Sequence, residues 1–305
     1  MTTISARGLY KVFGKDPQNA IAALENGVSR EELMEKGSTA AVIDASFDVE
    51  PGEIFVIMGL SGCGKSTLIR MVNGLLPASG GTLEIDGTPL TEMSESQLRD
   101  LRRDKISMVF QHFALLPHRT VLQNAAYGLE IKGVPKAERD EKAHEALRMV
   151  DLDGWADYMP GELSGGMQQR VGLARALAAD TDVLLMDEAF SALDPLIRKD
   201  MQDQLIELQG KLNKTILFIT HDLNEAMRIG DRVAMMRSGR IEQIGTAEEI
   251  LQNPANNFVA DFVKDVDRAR VLTADNIAEQ PKETLGAAHG PLAAQKLLRE
   301  TQNPW

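Results

Sequence analysis

A chain of 305 residues, 43% hydrophobic and 26% charged, has room for one large domain with an annex, or two modest ones, in the compositional range of soluble globular proteins. Its 45 Asp and Glu against 33 Lys and Arg leave a formal charge of −12. That balance argues against a nucleic-acid partner, which would want a basic stripe. No apolar run approaches the roughly 18 residues of a membrane helix, and the N-terminus lacks the basic-then-apolar layout of a secretion signal. The expectation is a cytoplasmic protein, free to dock on a membrane partner. Cys63 is the one cysteine, so an intrachain disulfide is excluded.

In chain order, Ile4 to Phe13 and Ala45 to Val49 read as strands, and Glu50-Pro-Gly-Glu53 turns into a third, Ile54 to Met58. Between the first two lies an insertion, residues 15–38. Pro17 opens one short helix there, Gly27 follows its end, and Ser29 with Glu32 forms a capping-box pattern for a second. A glycine-rich turn then leads into a helix from Lys65 to about Asn73. Gly80-Gly81 and Asp86-Gly87 bracket a short strand, which suggests an antiparallel β annex. Ile106 to Phe110 is a strand, and residues 120–179 read as mainly helical. Val183 to Met186 and Ile216 to Ile219 are continuously apolar, as strands covered on both faces of a parallel sheet must be. A hairpin spans Asp231 to Ile244, and Thr246 with Glu249 caps the next helix. Beyond Asp267 the pattern thins into a tail with one weak amphipathic stretch, Leu292 to Leu298. No internal repeat is visible, so each motif occurs once.

Gly59-Leu-Ser-Gly-Cys-Gly-Lys65-Ser66 matches the phosphate-loop pattern and sits between a predicted strand and a predicted helix, the context it requires. Glycines allow the backbone to wrap phosphates closely and turn its N–H groups inward, and the helix adds its positive end. Gly59, Ser61, Gly62, Cys63, Gly64, Lys65, Ser66 and Thr67 are the candidate nucleotide-binding residues. Lys65 offers a point charge to the β- and γ-phosphates, and the Ser66 hydroxyl a Mg²⁺ ligand. Within the loop, Cys63 is expected to pack rather than to act as a redox thiol. Val183-Leu-Leu-Met-Asp187-Glu188 carries two carboxylates to a strand's carboxyl end, where α/β proteins bind ligands. Asp187 is placed to hold Mg²⁺ and Glu188 to orient or deprotonate water. Leu163-Ser-Gly-Gly-Met167 precedes a helix and makes another anion-binding end. Ser-Gly-Gly alone is common loop chemistry, but its place between Lys65 and the acidic strand counts.

With these motifs in this order, the sequence resembles the ATP-binding subunits of ABC transporters over about Ile4 to Lys264. The resemblance implies a P-loop NTPase fold: a RecA-like parallel α/β core, an antiparallel β annex and an α-helical signature subdomain at about residues 112–178, all within residues 1–265. It also implies ATP hydrolysis with Mg²⁺. By position, Gln111 matches the family's glutamine that touches Mg²⁺ and water, and His221 the histidine at the γ-phosphate. Phe13 matches the aromatic that stacks on adenine, with Tyr10 nearby as the other possibility. Ser191, Ala192, Leu193 and Asp194 match the D-loop, and Leu163, Ser164, Gly165, Gly166 and Met167 the signature. In the family the signature of one subunit closes over the nucleotide of another, so one motif set per chain implies a head-to-tail homodimer.

The insertion, together with Phe55-Val-Ile-Met-Gly-Leu-Ser-Gly, Met108 to His118, Met186 to Ile197 and Glu225 to Asp231, resembles the ATPase subunits of glycine betaine/proline betaine importers. Such systems carry quaternary-ammonium and related osmolytes: betaines, choline, carnitine and trimethylamine N-oxide. Permease subunits, a separate solute-binding protein and a peripheral place on the cytoplasmic face of the inner membrane are implied partners and location. Many such subunits continue into a pair of CBS domains; the residues after Asp265 are too few for one. The tail, 266–305, is expected to be partly disordered or to brace the dimer. An importer ATPase for another small solute, or a non-transport ABC ATPase, is the alternative.

Overall fold

The computed structural model describes residues 3–111, 114–191 and 193–264. The chain begins with β1 (Ile4–Phe13), α1 (Pro17–Glu25), α2 (Arg30–Glu35) and β2 (Thr39–Val49). Next, β3 (Ile54–Met58) leads through the glycine loop into α3 (Lys65–Val72), followed by β4 (Gly80–Ile85), β5 (Thr88–Pro89) and α4 (Glu95–Asp104). After β6 (Ile106–Val109) come α5 (Val121–Ala125), α6 (Tyr127–Ile131), α7 (Lys136–Met149) and α8 (Gly165–Ala178). The remainder is β7 (Val183–Asp187), α9 (Pro195–Leu212), β8 (Thr215–Thr220), α10 (Leu223–Ile229), the hairpin of β9 (Arg232–Arg237) and β10 (Arg240–Gly245), α11 (Ala247–Gln252) and α12 (Asn257–Val263).

Two sheets result. One is antiparallel in the order β2-β1-β4-β5; the other runs β10-β9-β3-β8-β7-β6. In the second, β3 pairs in parallel with both β8 and β9, and β7 with β6 and β8. Every residue of β3, β7 and β8 is buried. Strands covered on both faces need no polar alternation, which is why their apolar runs are unbroken. The sheets share one core, in which Ile4, Leu9 and Val42 join Phe55, Leu68, Leu185 and Leu217. Phe47 of β2 stacks on Phe55 of β3 with ring centroids 5.5 Å apart. Since β3, β7 and β8 are parallel neighbours, their carboxyl ends emerge side by side, and the loops after them meet at one edge.

The insertion folds as two capped helices with a core of its own. Ile21, Leu24 and Leu33 pack against Tyr10, Val12, Ala40 and Ile43, and each buried aliphatic contributes about 1.5–3 kcal/mol. Asp16 caps α1 ahead of Pro17. At α2 the Ser29 hydroxyl accepts from the Glu32 N–H at 3.1 Å, one half of the expected capping box. Thr246 and Glu249 form the complete box at α11.

Strand β2 begins at Thr39, well before the expected Ala45. Ala40 and Ile43 face the insertion while Val42 faces the main core, so burial on both sides erases the alternation that marks a strand. Helix α4 has no buried residue and stands where the apolar pattern assigns no element, held by a full Ser94–Gln97 capping box. Helix α9, likewise unassigned, is capped by Asp194 with Pro195 at its first turn. The amphipathic stretch at 292–298 and the rest of the tail lie outside the described residues.

Candidate active site

The glycine loop leaves β3 and enters α3 without a side-chain cap, because Gly64 occupies the cap position at φ 110°. A Cβ there would stand 2.1 Å from the Ala41 carbonyl. No L side chain fits that backbone or that space, so the loop's shape depends on glycine. The uncapped N–H groups of α3 are left to face an anion.

Lys65 is only 4% exposed. Its ammonium donates to the carbonyls of Gly59 at 2.8 Å and Leu60 at 3.2 Å, and lies 3.8 Å from a Glu188 oxygen. Ser66 Oγ donates to Asp187 Oδ1 at 3.1 Å, joining the start of α3 to the end of β7. Burial holds the Asp187 carboxyl above the ordinary carboxylate range; Glu188 pushes the same way, while the Ser66 hydrogen bond, Arg70 and Lys65 oppose. A buried carboxylate held beside a hydroxyl oxygen suits a hard cation, which would offset that desolvation. No group of three or more His, Cys, Asp or Glu able to hold a metal occurs among the described residues.

Glu188 sits in the left-handed region at φ 47°, with its N–H donated to the Ile219 carbonyl at 3.0 Å. That conformation, costly for a residue with a side chain, turns the carboxylate away from the strand direction. Its Oε2 lies 3.0 Å from His221 Nδ1 and 3.4 Å from Gln111 Nε2. Gln111 Nε2 also approaches Ser191 Oγ at 3.3 Å, and that hydroxyl donates to the Glu188 carbonyl at 2.9 Å. Gln111 follows β6, Glu188 follows β7, His221 follows β8, and Lys65 follows the loop after β3. Groups from three other loops thus converge on one carboxylate.

Of the remaining candidates, Phe13 ends β1 and is 44% exposed, whereas Tyr10 is 8% exposed inside the insertion core. Cys63 is buried, and burial pushes its thiol up, away from thiolate chemistry. Thr67 lies in the first turn of α3. Ser164 is not part of the cluster. It caps α8, its hydroxyl accepting from the Met167 N–H at 3.4 Å, and it is exposed. Leu163 is buried, and Gly166 packs against Ile197 of α9. No hydrogen bond or ion pair between described residues joins Ser164 through Met167 to the phosphate loop. Asp194 accepts from the N–H groups of Leu196 and Ile197, Leu193 is buried, and Ala192 lies outside the described residues.

The residues that steady His221 were missed from the motifs. Thr220 Oγ1 accepts from the Asp222 N–H at 2.9 Å, and Asp222 caps α10 while accepting from Arg198 at 3.2 Å. An Asp directly after a strand-ending Thr-His, with helix-forming residues beyond, was the available N-cap signal.

Residues 42–191 match the family model described as "ABC transporter". The glycine betaine transport ATP-binding protein OpuAA of Bacillus subtilis (strain 168) is 57% identical over 297 residues, spanning 97% of this chain and 71% of that protein. The chain belongs to the ABC transporter family. As one of its ATP-binding cassettes it is an ATPase subunit. The glycine betaine/proline betaine transport system ATP-binding protein ProV of Escherichia coli (strain K12) is 53% identical to the cassette over 301 residues, 97% of this chain and 75% of that one. The dimeric structure of MJ0796, a bacterial ABC transporter cassette, superposes with TM-score 0.68 at 31% identity, covering 80% of this chain and 98% of the other. No helix among the described residues is long and apolar enough to cross a membrane.

Proposed function

We propose that the cassette powers an importer of quaternary-ammonium or closely related osmolytes of the glycine betaine type, working as a homodimer on the cytoplasmic face of the inner membrane. It would act beneath permease subunits fed by a solute-binding protein. The solute class rests on the names of the relatives, glycine betaine and proline betaine transport proteins at 57% and 53% identity. The chemistry rests on one observation: a single carboxylate, Glu188, is met by Lys65, His221 and Gln111 above the phosphate loop.

In this assignment the loop from Gly59 to Thr67 holds the phosphates of ATP, with Lys65 shifting from the Gly59 and Leu60 carbonyls to the phosphate oxygens. Phe13 is the adenine platform, since it is exposed, with only the Lys11 ammonium 5.1 Å from its ring centroid, while Tyr10 is covered. Ser66, Asp187 and Gln111 would hold Mg²⁺, which supplies positive charge against the phosphate oxygens. Glu188 accepts a proton from the attacking water, and His221 fixes the carboxylate and faces the γ-phosphate. Ser164 and the N–H groups at Gly165 and Gly166 start a helix that points outward, so they serve the nucleotide of the other subunit. Ser191 and Asp194 tie the two sites through the D-loop.

The test is uptake of labelled glycine betaine by the reconstituted importer. With Lys65→Ala, uptake and ATP binding are both expected to disappear. Uptake that survives this change rules out the proposed role.

A further inference from the structure

The insertion reaches the nucleotide loop directly. Arg30, the first residue of α2, donates from Nη2 to the Gly62 carbonyl at 3.3 Å, across 32 positions of sequence. A cation in the first turn opposes the positive end of a helix, so Arg30 does nothing for α2 itself. Ser29 supplies the cap and Glu31 and Glu32 the favourable first-turn charges. Although those two carboxylates follow it directly, Arg30 forms no ion pair among the described residues. The residue is half-buried, and its guanidinium meets the loop at the surface. Its charge is felt there, opposing the rise that burial imposes on the Cys63 thiol. At Gly62, φ is +76° and no atom beyond its two chain neighbours lies within 4 Å of where a Cβ would stand, so the space beside this turn is open. A guanidinium carries five N–H groups, and the bond to Gly62 occupies one of them.

We propose that Arg30 is a nucleotide-binding residue supplied by the insertion, a second fixed cation that the phosphate chain of a nucleoside triphosphate meets beside Lys65. The proposal rests on the assignment of the glycine loop as the ATP site. The two cations differ in kind. Lys65 is a compact charge buried under the loop by the Gly59 and Leu60 carbonyls. Arg30 presents a planar fork at its rim, the geometry that suits phosphate oxygens. Occupancy of the loop is thereby linked to the position of α2.

Calorimetric titration of the purified full chain with ATP separates the possibilities. Arg30→Ala is expected to weaken ATP about tenfold, the scale of one charge-assisted hydrogen bond. Arg30→Lys, which keeps the charge but not the fork, should recover part of that loss. Arg30→Gln, which keeps an N–H for Gly62 without the charge, should not. The nucleotide-free melting temperature should be the same in all three. ATP binding at wild-type strength by Arg30→Ala or Arg30→Gln overturns the proposal. Lys65→Ala in the same titration serves as the control. If it loses ATP while Arg30→Ala does not, only the role of Arg30 falls; if it binds normally, the loop assignment itself is wrong.

Discussion

The phosphate-loop side and the signature side of this molecule are built on opposite principles. Around Lys65 the chain gathers groups from four loops and buries two of them, Lys65 at 4% and Asp187 at 9% exposure, each with partners within the same chain, while Gln111 and His221 stay exposed at the rim. At Ser164 it does the reverse, starting a 14-residue helix at the surface with its own hydroxyl as cap. A helix start of that kind is an anion site without an anion of its own. On the function proposed above, one side is the site and the other the lid for a second subunit, so that a chain holding one of each would complete neither active centre alone.

The largest expected effect tests the gathered side. Glu188→Gln keeps the hydrogen bonds but not the basicity, so turnover should fall by about 10²–10⁴-fold while ATP binding persists. The variant should then run as a dimer in ATP by size-exclusion chromatography with light scattering; a monomer there would break the contrast. Next comes complementation. Lys65→Ala spoils only the site and Ser164→Asp only the lid, since Asp is as good an N-cap as Ser but sets a carboxylate against phosphate. Each homodimer should be inactive, and an equimolar mixture should regain about a quarter of wild-type turnover, from mixed dimers with one intact centre. If mixing restores nothing, the two sides do not act across subunits.

Ser164→Ala should be milder. Loss of the cap costs α8 about 1 kcal/mol, visible as a small drop in denaturation midpoint, with ATP affinity of the monomer unchanged. The smallest effect concerns Asp187. Because burial raises its carboxyl above the ordinary range, the folded state holds that proton more tightly than the unfolded chain does. The associated stability is present at low pH and is lost as pH rises through the folded value. Asp187→Asn removes this dependence, so the nucleotide-free melting temperature should decline less than that of wild type as pH rises from the ordinary carboxylate value, about 4, toward neutrality. Equal declines would mean that the Asp187 charge is not desolvated.

The legibility of the site follows the same division. The glycine loop, the Asp187-Glu188 pair and Ser164 are contiguous motifs, and each could be placed on its strand or helix before any coordinates. Gln111, His221 and Phe13 carry no such mark; family position alone singled them out. The cap partners Thr220, Asp222 and Arg198 went unnoticed, and so did Arg30, whose only signal was a basic residue where a helix start prefers acid. In the fold, the first part of β2 lacks the alternation of a strand because Ala40 to Ile43 are covered on both faces, and α4 carries no apolar signal because none of its residues is buried.

What the sequence determined by itself is the local chemistry: which backbone can wrap phosphates, which strand ends in carboxylates, which turn starts a helix toward an anion. Those depend on interactions between residues a few positions apart. Tertiary structure alone decided the company that Glu188 keeps, and that Arg30 lies on the loop. Those contacts join residues 32 to 123 positions apart, reckoning Lys65 to Glu188 as 188 minus 65. The contacts of Glu188 exist because parallel strands deliver their carboxyl ends to a single edge, a property of the sheet order and not of any one segment; that of Arg30 exists because the insertion packs on β1 and β2 beside the loop.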